Sequence, residues 1–237
     1  MSDSPIKVVF FDAAGTLFHV KGSVGEVYLR HAGKYGVPQS VEMVEKVDQA
    51  FREAFLQAPP LVFAETRPEK LKQCERLWWF DIVHAVFYRV GMFDGFDDYF
   101  EEVHTAFGTA DAWEVYAEVP GVLGTLKARG YELGVISNFD TQFFSVFRAL
   151  GLDSYFDSVT VSCTAGAVKP SPKIFQHALA QHVVDPGEAL HIGDRQREDF
   201  EGATGAGLSS VLLDRDGTVQ DAAIPCIRHL GDLPGRL

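Results

Sequence analysis

The sequence predicts an α/β fold, a parallel sheet with flanking helices, interrupted after its first strand by an all-helical insertion. Three observations carry this. Short continuous apolar runs recur along the chain, and helix-like segments alternate with them from residue 119 onward. Between residues 19 and about 115 the alternation gives way to helical periodicity with no convincing strand.

The first run, Val8-Val9-Phe10-Phe11, is too short for a helix, so Lys7–Phe11 reads as a strand ending at Asp12-Ala13-Ala14-Gly15-Thr16. Continuous rather than alternating hydrophobicity indicates a strand covered on both faces, as in a parallel sheet. Leu133–Ile136, Val159–Val161, Ala189–Ile192 and Ser210–Leu213 resemble it. Between them lie helix-like segments: Gln142–Leu150 closed by Gly151, Pro172–His182, and Glu198–Ala206 closed by Gly207. In the insertion, Leu71, Cys74, Trp78, Ile82 and Ala85 share one helical stripe, and Trp79, Val83, Val86 and Val90 share a second. Two apolar faces place that helix inside a bundle, so Trp78-Trp79-Phe80 reads as bundle core rather than a ligand box. An insertion after strand one sits beside the strand's C-terminal end, where open α/β sheets bind ligands. That placement makes it a cap, with residues 1–18 and 116–237 as the core and 19–115 as the cap.

Length and composition agree. The 237 residues, 46% hydrophobic and 23% charged, have room for a core and a smaller second unit. A net charge of −12 works against binding a nucleic-acid backbone and is compatible with carboxylates converging on magnesium. Cys74, Cys163 and Cys226 are odd in number and widely spaced, which suits a reducing compartment and small buried apolar roles. The opening Met-Ser-Asp-Ser-Pro lacks a leader pattern, and no apolar stretch is long enough to cross a bilayer. A cytoplasmic protein without membrane or nucleic-acid partners is expected.

The chemistry gathers at one sheet edge. Asp12 follows strand one, Ser137-Asn138 follow Leu133–Ile136, Lys169-Pro170 come after Val159–Val161, and Gly193-Asp194 follow Ala189–Ile192, with Asp199 five residues on. Acids hold a hard cation such as Mg2+, while a hydroxyl and a lysine bind phosphate oxygens and offset their charge. Each residue alone has a plainer explanation: Ser137 or Asp199 as a helix N-cap, Lys169 as a solvated surface group. Their common placement at strand ends favours a shared site. Gly15 permits a tight turn whose N–H groups face an anion.

Phe11-Asp12-Ala13-Ala14-Gly15-Thr16-Leu17, Ile136-Ser137-Asn138, Lys169-Pro170 and Gly193-Asp194-x4-Asp199 resemble the four motifs of the haloacid dehalogenase-like hydrolase superfamily, over nearly the whole chain. Finer details, among them Trp78-Trp79 and Ile136-Ser137-Asn138-Phe139-Asp140, resemble its rhythmically-expressed-protein-2-like branch. The resemblance implies a Rossmann-like core with a helical cap. It implies Asp12 as a nucleophile forming an aspartyl-phosphate and Ser137 as a ligand of the transferring phosphoryl group, with Asn138 adding a contact. Lys169 would balance charge beside Asp12. Mg2+ would be held by Asp12, the backbone carbonyl of Ala14, Asp194 and Asp199, and the substrate would be a small phosphorylated molecule.

One position departs. Phosphatases of the superfamily carry a second Asp two residues after the nucleophile, and here that residue is Ala14. General acid–base help of that kind is worth ~10²–10⁴-fold, and alanine cannot supply it. Three readings follow. One is a phosphohydrolase whose acid comes from elsewhere, such as His19 or the cap, or whose substrate has a good leaving group. A phosphonoacetaldehyde hydrolase shares the alanine, but Lys21, Lys34, Lys46, Lys70 and Lys72 give no diagnostic match to its Schiff-base lysine. The second is a 2-haloacid dehalogenase working through an ester on Asp12, against which Asp194 and Asp199 argue. The third is an impaired phospho-ligand binder. Finally, Asp214-Arg215-Asp216-Gly217-Thr218 spells the acid pair missing from the first motif, but too little chain follows it to bring partner strands, and it reads as an Asp/Gly turn.

Overall fold

The computed structural model describes residues 5–65 and 67–237; residues 1–4, on which the expectation about a leader falls, lie outside them. A six-stranded, all-parallel sheet runs in the order β5-β4-β1-β6-β7-β8, with β1 Val8–Phe11, β4 Glu132–Ser137, β5 Ser158–Val161, β6 Ala189–Gly193, β7 Ser209–Leu213 and β8 Cys226–Ile227. This is the expected α/β, Rossmann-like architecture. Phe11 stands beside Val135 of β4 and Ile192 of β6. β4 and β6 run slightly further, to Ser137 and Gly193, and the residues that follow each strand emerge at one edge.

Alternation along β1 explains its continuous hydrophobicity. Val9 and Phe11 belong to the apolar layer under α5 Val119–Ala128 and α6 Phe143–Ala149. Val8 and Phe10 face the other layer, built on α8 Pro172–Leu179 and α9 Gly202–Gly205. All four are wholly buried. Removing a ring such as that of Phe10 costs about 3–5 kcal/mol in a core of this kind. A short α7, Ser162–Ala165, follows β5 directly.

The segment between β1 and α5 carries α1 Val24–Ala32, α2 Val41–Gln57, α3 Pro68–Val90 and α4 Phe96–Phe107, which share their own apolar cluster. Ser23 and Ser40 cap α1 and α2 by accepting from the Glu26 and Met43 N–H groups, both at 3.2 Å. Pro68 opens α3, which runs 23 residues to Gly91. The segment does contain strands: β2 Phe18–Val20 and β3 Trp113–Val115 pair antiparallel where the chain leaves and re-enters the α/β part. Three residues each are too few for their alternation to stand out from helical periodicity. The helix expected over Glu198–Ala206 instead begins as a π-turn, Gln196–Glu201, before α9. A short β8 also follows the Asp214 turn. Among the described residues no helix is long and apolar enough to cross a membrane.

Candidate active site

Asp12 continues the β1 ladder by one residue, its N–H donating to the Ile192 carbonyl at 2.8 Å. The chain then winds into a tight loop. The N–H groups of Thr16, Leu17 and Phe18 converge on the Ala13 carbonyl at 3.1, 2.7 and 3.3 Å, and that of Gly15 donates to Phe18 at 2.8 Å. Gly15 is required twice over: its φ is +93°, and a Cβ there would lie 2.6 Å from Asp194 Oδ2.

Lys169, 4% exposed, is the hub. Its ammonium donates to Asp12 Oδ1 and Asp199 Oδ1, each at 2.6 Å, and to the Ile136 carbonyl at 2.9 Å. Three protons thus meet three acceptors. Burial alone would depress its pKa, but the flanking Asp12 and Asp199 carboxylates more than offset that and hold it above the ordinary lysine value. Ser137 donates to the same Asp12 oxygen at 3.1 Å. The Asn138 side chain clamps Lys169 from both sides, its Oδ1 accepting from the Lys169 N–H at 2.7 Å and its Nδ2 donating to the Lys169 carbonyl at 3.1 Å.

Asp199 lies inside the π-turn and is not its N-cap, which is Arg195; its Oδ2 instead accepts the Arg195 N–H at 2.9 Å. Its other oxygen faces Lys169 and His191 Nε2, the latter at 3.1 Å. Burial works to raise its pKa, yet Lys169 and His191 hold it well below the usual carboxylate range. Asp194 contrasts with it. Burial, with Asp12 and Asp199 nearby, pushes it up to about 7. Its Oδ1 is buried and finds no hydrogen-bond partner among the described residues.

Oxygens of Asp12, Asp194 and Asp199 lie within 4.8 Å of one another. An orphaned buried carboxylate oxygen, mutual repulsion and hard oxygen donors together fit a divalent cation such as Mg2+. The residues expected to share a site, Asp12, Ser137, Asn138, Lys169, Asp194 and Asp199, are therefore one contiguous cluster. Ala14 is half-buried in the loop beside them. His19 is on β2, its Nδ1 2.9 Å from the Val20 carbonyl and its ring 4.5 Å from that of Tyr116. Lys34 and Lys46 are paired with Glu102 and Glu42.

The sequence pattern gave no sign of a second buried acidic pair, Glu75 on α3 and Asp140 after β4, 3% and 1% exposed. They hydrogen-bond crosswise between helical insertion and sheet. Glu75 accepts from the Thr141 N–H at 3.0 Å and from the Thr141 hydroxyl. Asp140 accepts from the Trp79 indole and from the Gln142 N–H at 2.8 Å. Trp78 is bundle core, as expected, but Trp79 thus also reaches the α/β part. Both acids line a cavity of about 460 Å³ with Lys72, His104 and Arg148.

Comparison with known proteins agrees with this geometry. The haloacid dehalogenase-like hydrolase family model matches residues 6–207. The chain is 31% identical to haloacid dehalogenase-like hydrolase domain-containing protein 3 of Danio rerio, over 98% of this chain and 97% of that one. It is 40% identical to a glyceraldehyde 3-phosphate phosphatase of Methanothermobacter thermautotrophicus over 39% of this chain and 42% of the relative. Among solved structures it is similar in fold to YfnB, a putative hydrolase of Bacillus subtilis bound to magnesium, with a TM-score of 0.77 at 16% identity, covering 99% of both chains. The chain belongs to the haloacid dehalogenase-like hydrolase family.

Proposed function

We propose that this hydrolase is a magnesium-dependent phosphohydrolase of a small phosphorylated molecule, with Asp12 as nucleophile. The observation that carries the reading is the Lys169 bridge between Asp12 and Asp199, beside an Asp194 oxygen that is buried and without a partner among the described residues. Asp12 Oδ1 is held by Lys169 and Ser137, which orients Oδ2 for attack on phosphorus. As the Asp12–phosphorus bond forms, the bond to the leaving oxygen breaks and that oxygen takes a proton from solvent water. Water then attacks the aspartyl-phosphate, releasing phosphate and restoring the carboxylate. Lys169 and Ser137 lie where they offset charge on the phosphoryl oxygens. Mg2+ held by Asp12, Asp194, Asp199 and the Ala14 carbonyl would supply further charge neutralisation. The phosphatase relative supports phosphoryl chemistry. The helical insertion, resting on the sheet edge, serves as the cap that excludes water.

Ala14 provides no proton donor for the leaving group and no base for the water. The proposal therefore includes slow turnover, with the second step the slower. The test is a phosphatase panel with and without Mg2+ on wild type, Asp12→Asn and Ala14→Asp. Expected are metal-dependent turnover in wild type, its abolition in Asp12→Asn, and a gain towards the ~10²–10⁴-fold typical of acid–base help in Ala14→Asp. Metal-independent halide release from 2-haloacids would replace the proposal with dehalogenase chemistry. Binding of phosphate ligands with Mg2+ but no turnover of any substrate would leave a phospho-ligand binder.

A further inference from the structure

The Asp214-Arg215-Asp216-Gly217-Thr218 turn does more than reverse the chain. Asp214, at the end of β7, accepts from the Thr218 N–H at 2.9 Å, the Thr218 hydroxyl at 3.2 Å and the Val219 N–H at 3.1 Å. Gly217 has φ +69°, and a Cβ there would lie 2.6 Å from the Arg228 guanidinium. The turn is therefore fixed by its own acid and glycine, and it aims Arg215 back over the sheet edge.

Arg215 ends in the loop that carries Asp12. Its Nη2 donates to the Thr16 carbonyl at 2.9 Å and its Nε to the Gly15 carbonyl at 3.3 Å. Nη1 pairs with Glu118 at 2.7 Å, and the guanidinium carbon sits 3.5 Å from the centre of the Tyr116 ring. Tyr116 and Glu118 lie between β3 and α5, where the chain returns from the helical insertion, and the Tyr116 N–H donates to the Leu17 carbonyl at 3.2 Å. One planar group thus joins three crossings of the sheet edge. The N–H groups of residues 15 to 18 are already spent inside the loop, and from outside it Tyr116 holds the Leu17 carbonyl while Arg215 holds those of Gly15 and Thr16.

We infer that Arg215 is the positioning residue of the Asp12 loop. By holding the Gly15 and Thr16 carbonyls from its seat on Tyr116 and Glu118, it fixes the backbone that presents Asp12 and Ala14. A lysine cannot replace it, because the task needs three divergent N–H donors in one plane and a flat face for the ring. The consequence for turnover rests on the proposed role of Asp12; the placement of the loop does not.

The experiment therefore has two readouts on Arg215→Lys and Arg215→Met. Amide hydrogen exchange is followed by mass spectrometry on metal-free protein, and kcat and KM are measured on p-nitrophenyl phosphate with Mg2+. Misplacing reacting atoms by about 1 Å costs on the order of 100-fold. Expected in both variants are faster exchange confined to residues 13–18, with the β4 and β6 amides still protected, and kcat about 10- to 100-fold lower at nearly unchanged KM. Should Arg215→Met unfold, Arg215→Lys and the milder Glu118→Gln, which keeps a neutral acceptor for Nη1, carry the same readouts. Wild-type exchange and wild-type kcat in Arg215→Lys would overturn the inference, since charge alone would then suffice. If wild-type protein shows no phosphatase activity, the functional reading fails, and exchange in residues 13–18 still decides the role of Arg215.

Discussion

Two buried clusters of carboxylates sit in this molecule, and they solve the same electrostatic problem in opposite ways. Around Asp12 the acids share a cation: Lys169 bridges Asp12 and Asp199, and Asp199 is held well below the usual carboxylate range. Around Glu75 and Asp140 the partners are neutral donors, namely an indole, a hydroxyl and main-chain N–H groups. Burial and the Glu75 charge push Asp140 up to about 7, as burial and its acidic neighbours push Asp194, but the hydrogen-bond partners of the Glu75–Asp140 pair are neutral where the other cluster has a lysine. Acids bridged by a lysine suit nucleophilic attack and metal binding. Acids held by neutral donors suit a joint between insertion and sheet.

The contrast is broken most severely by Lys169→Met. It leaves Asp12 and Asp199 buried without their cation, and removing one partner of a buried pair typically costs about 3–5 kcal/mol. Urea unfolding should show that loss in metal-free protein and partial recovery with Mg2+. A loss below about 1 kcal/mol would mean the bridge is not what holds these acids together.

Trp79→Phe is the corresponding cut in the other cluster, since it removes a donor from a buried acid. The expected cost is about 1–3 kcal/mol, read by the same unfolding experiment, with Mg2+ affinity unchanged.

Asp140 also gives its cluster a pH signature. Its folded pKa lies above the ordinary 3.8, so between about 4 and 7 the folded state holds a proton that the unfolded state has released. Its contribution to stability is therefore full at low pH and is lost as pH rises through this window, by up to about 1.4 kcal/mol per pH unit. Asp140→Asn removes the titrating group and should reduce that slope, leaving the part that comes from Asp194, which burial also pushes up to about 7. An unchanged slope would point to another group.

The smallest effect separates the two clusters by metal. Asp194→Asn removes repulsion from Asp12 and Asp199, so metal-free protein should gain about 1 kcal/mol, roughly 2–4 °C in Tm. The same variant should lose the Mg2+-induced rise in Tm expected of wild type. Equal Mg2+ responses in the two proteins would remove Asp194 from the metal site.

What the sequence made legible follows from where information is stored in an α/β fold. Asp12, Ser137 and Asp194 stand immediately after continuous apolar runs, so finding the strands finds them, and parallel pairing brings them to one edge. Lys169 and Asp199 stand further along the chain from β5 and β6, so the apolar runs point to them less directly, and the resemblance adds only their roles. Arg215 was hidden because its partners, Gly15 and Thr16, are about two hundred positions away and are main-chain atoms, which leave no side-chain signature. Glu75 was hidden by its own helix: the stripes around it are apolar, and only the distant Asp140-Thr141 loop explains a buried acid there. His191, inside the β6 run, reads as one more strand residue until Asp199 folds back onto it.

The central claim is that Asp12 carries a phosphoryl group whose release is slowed by Ala14. The most direct measurement is peptide mass spectrometry of protein quenched in acid after mixing with a phosphoryl donor and Mg2+. One phosphoryl group on Asp12, persisting in wild type, shortened in Ala14→Asp and absent from Asp12→Asn, is the result expected. No adduct under turnover, or an adduct on another residue, would contradict it.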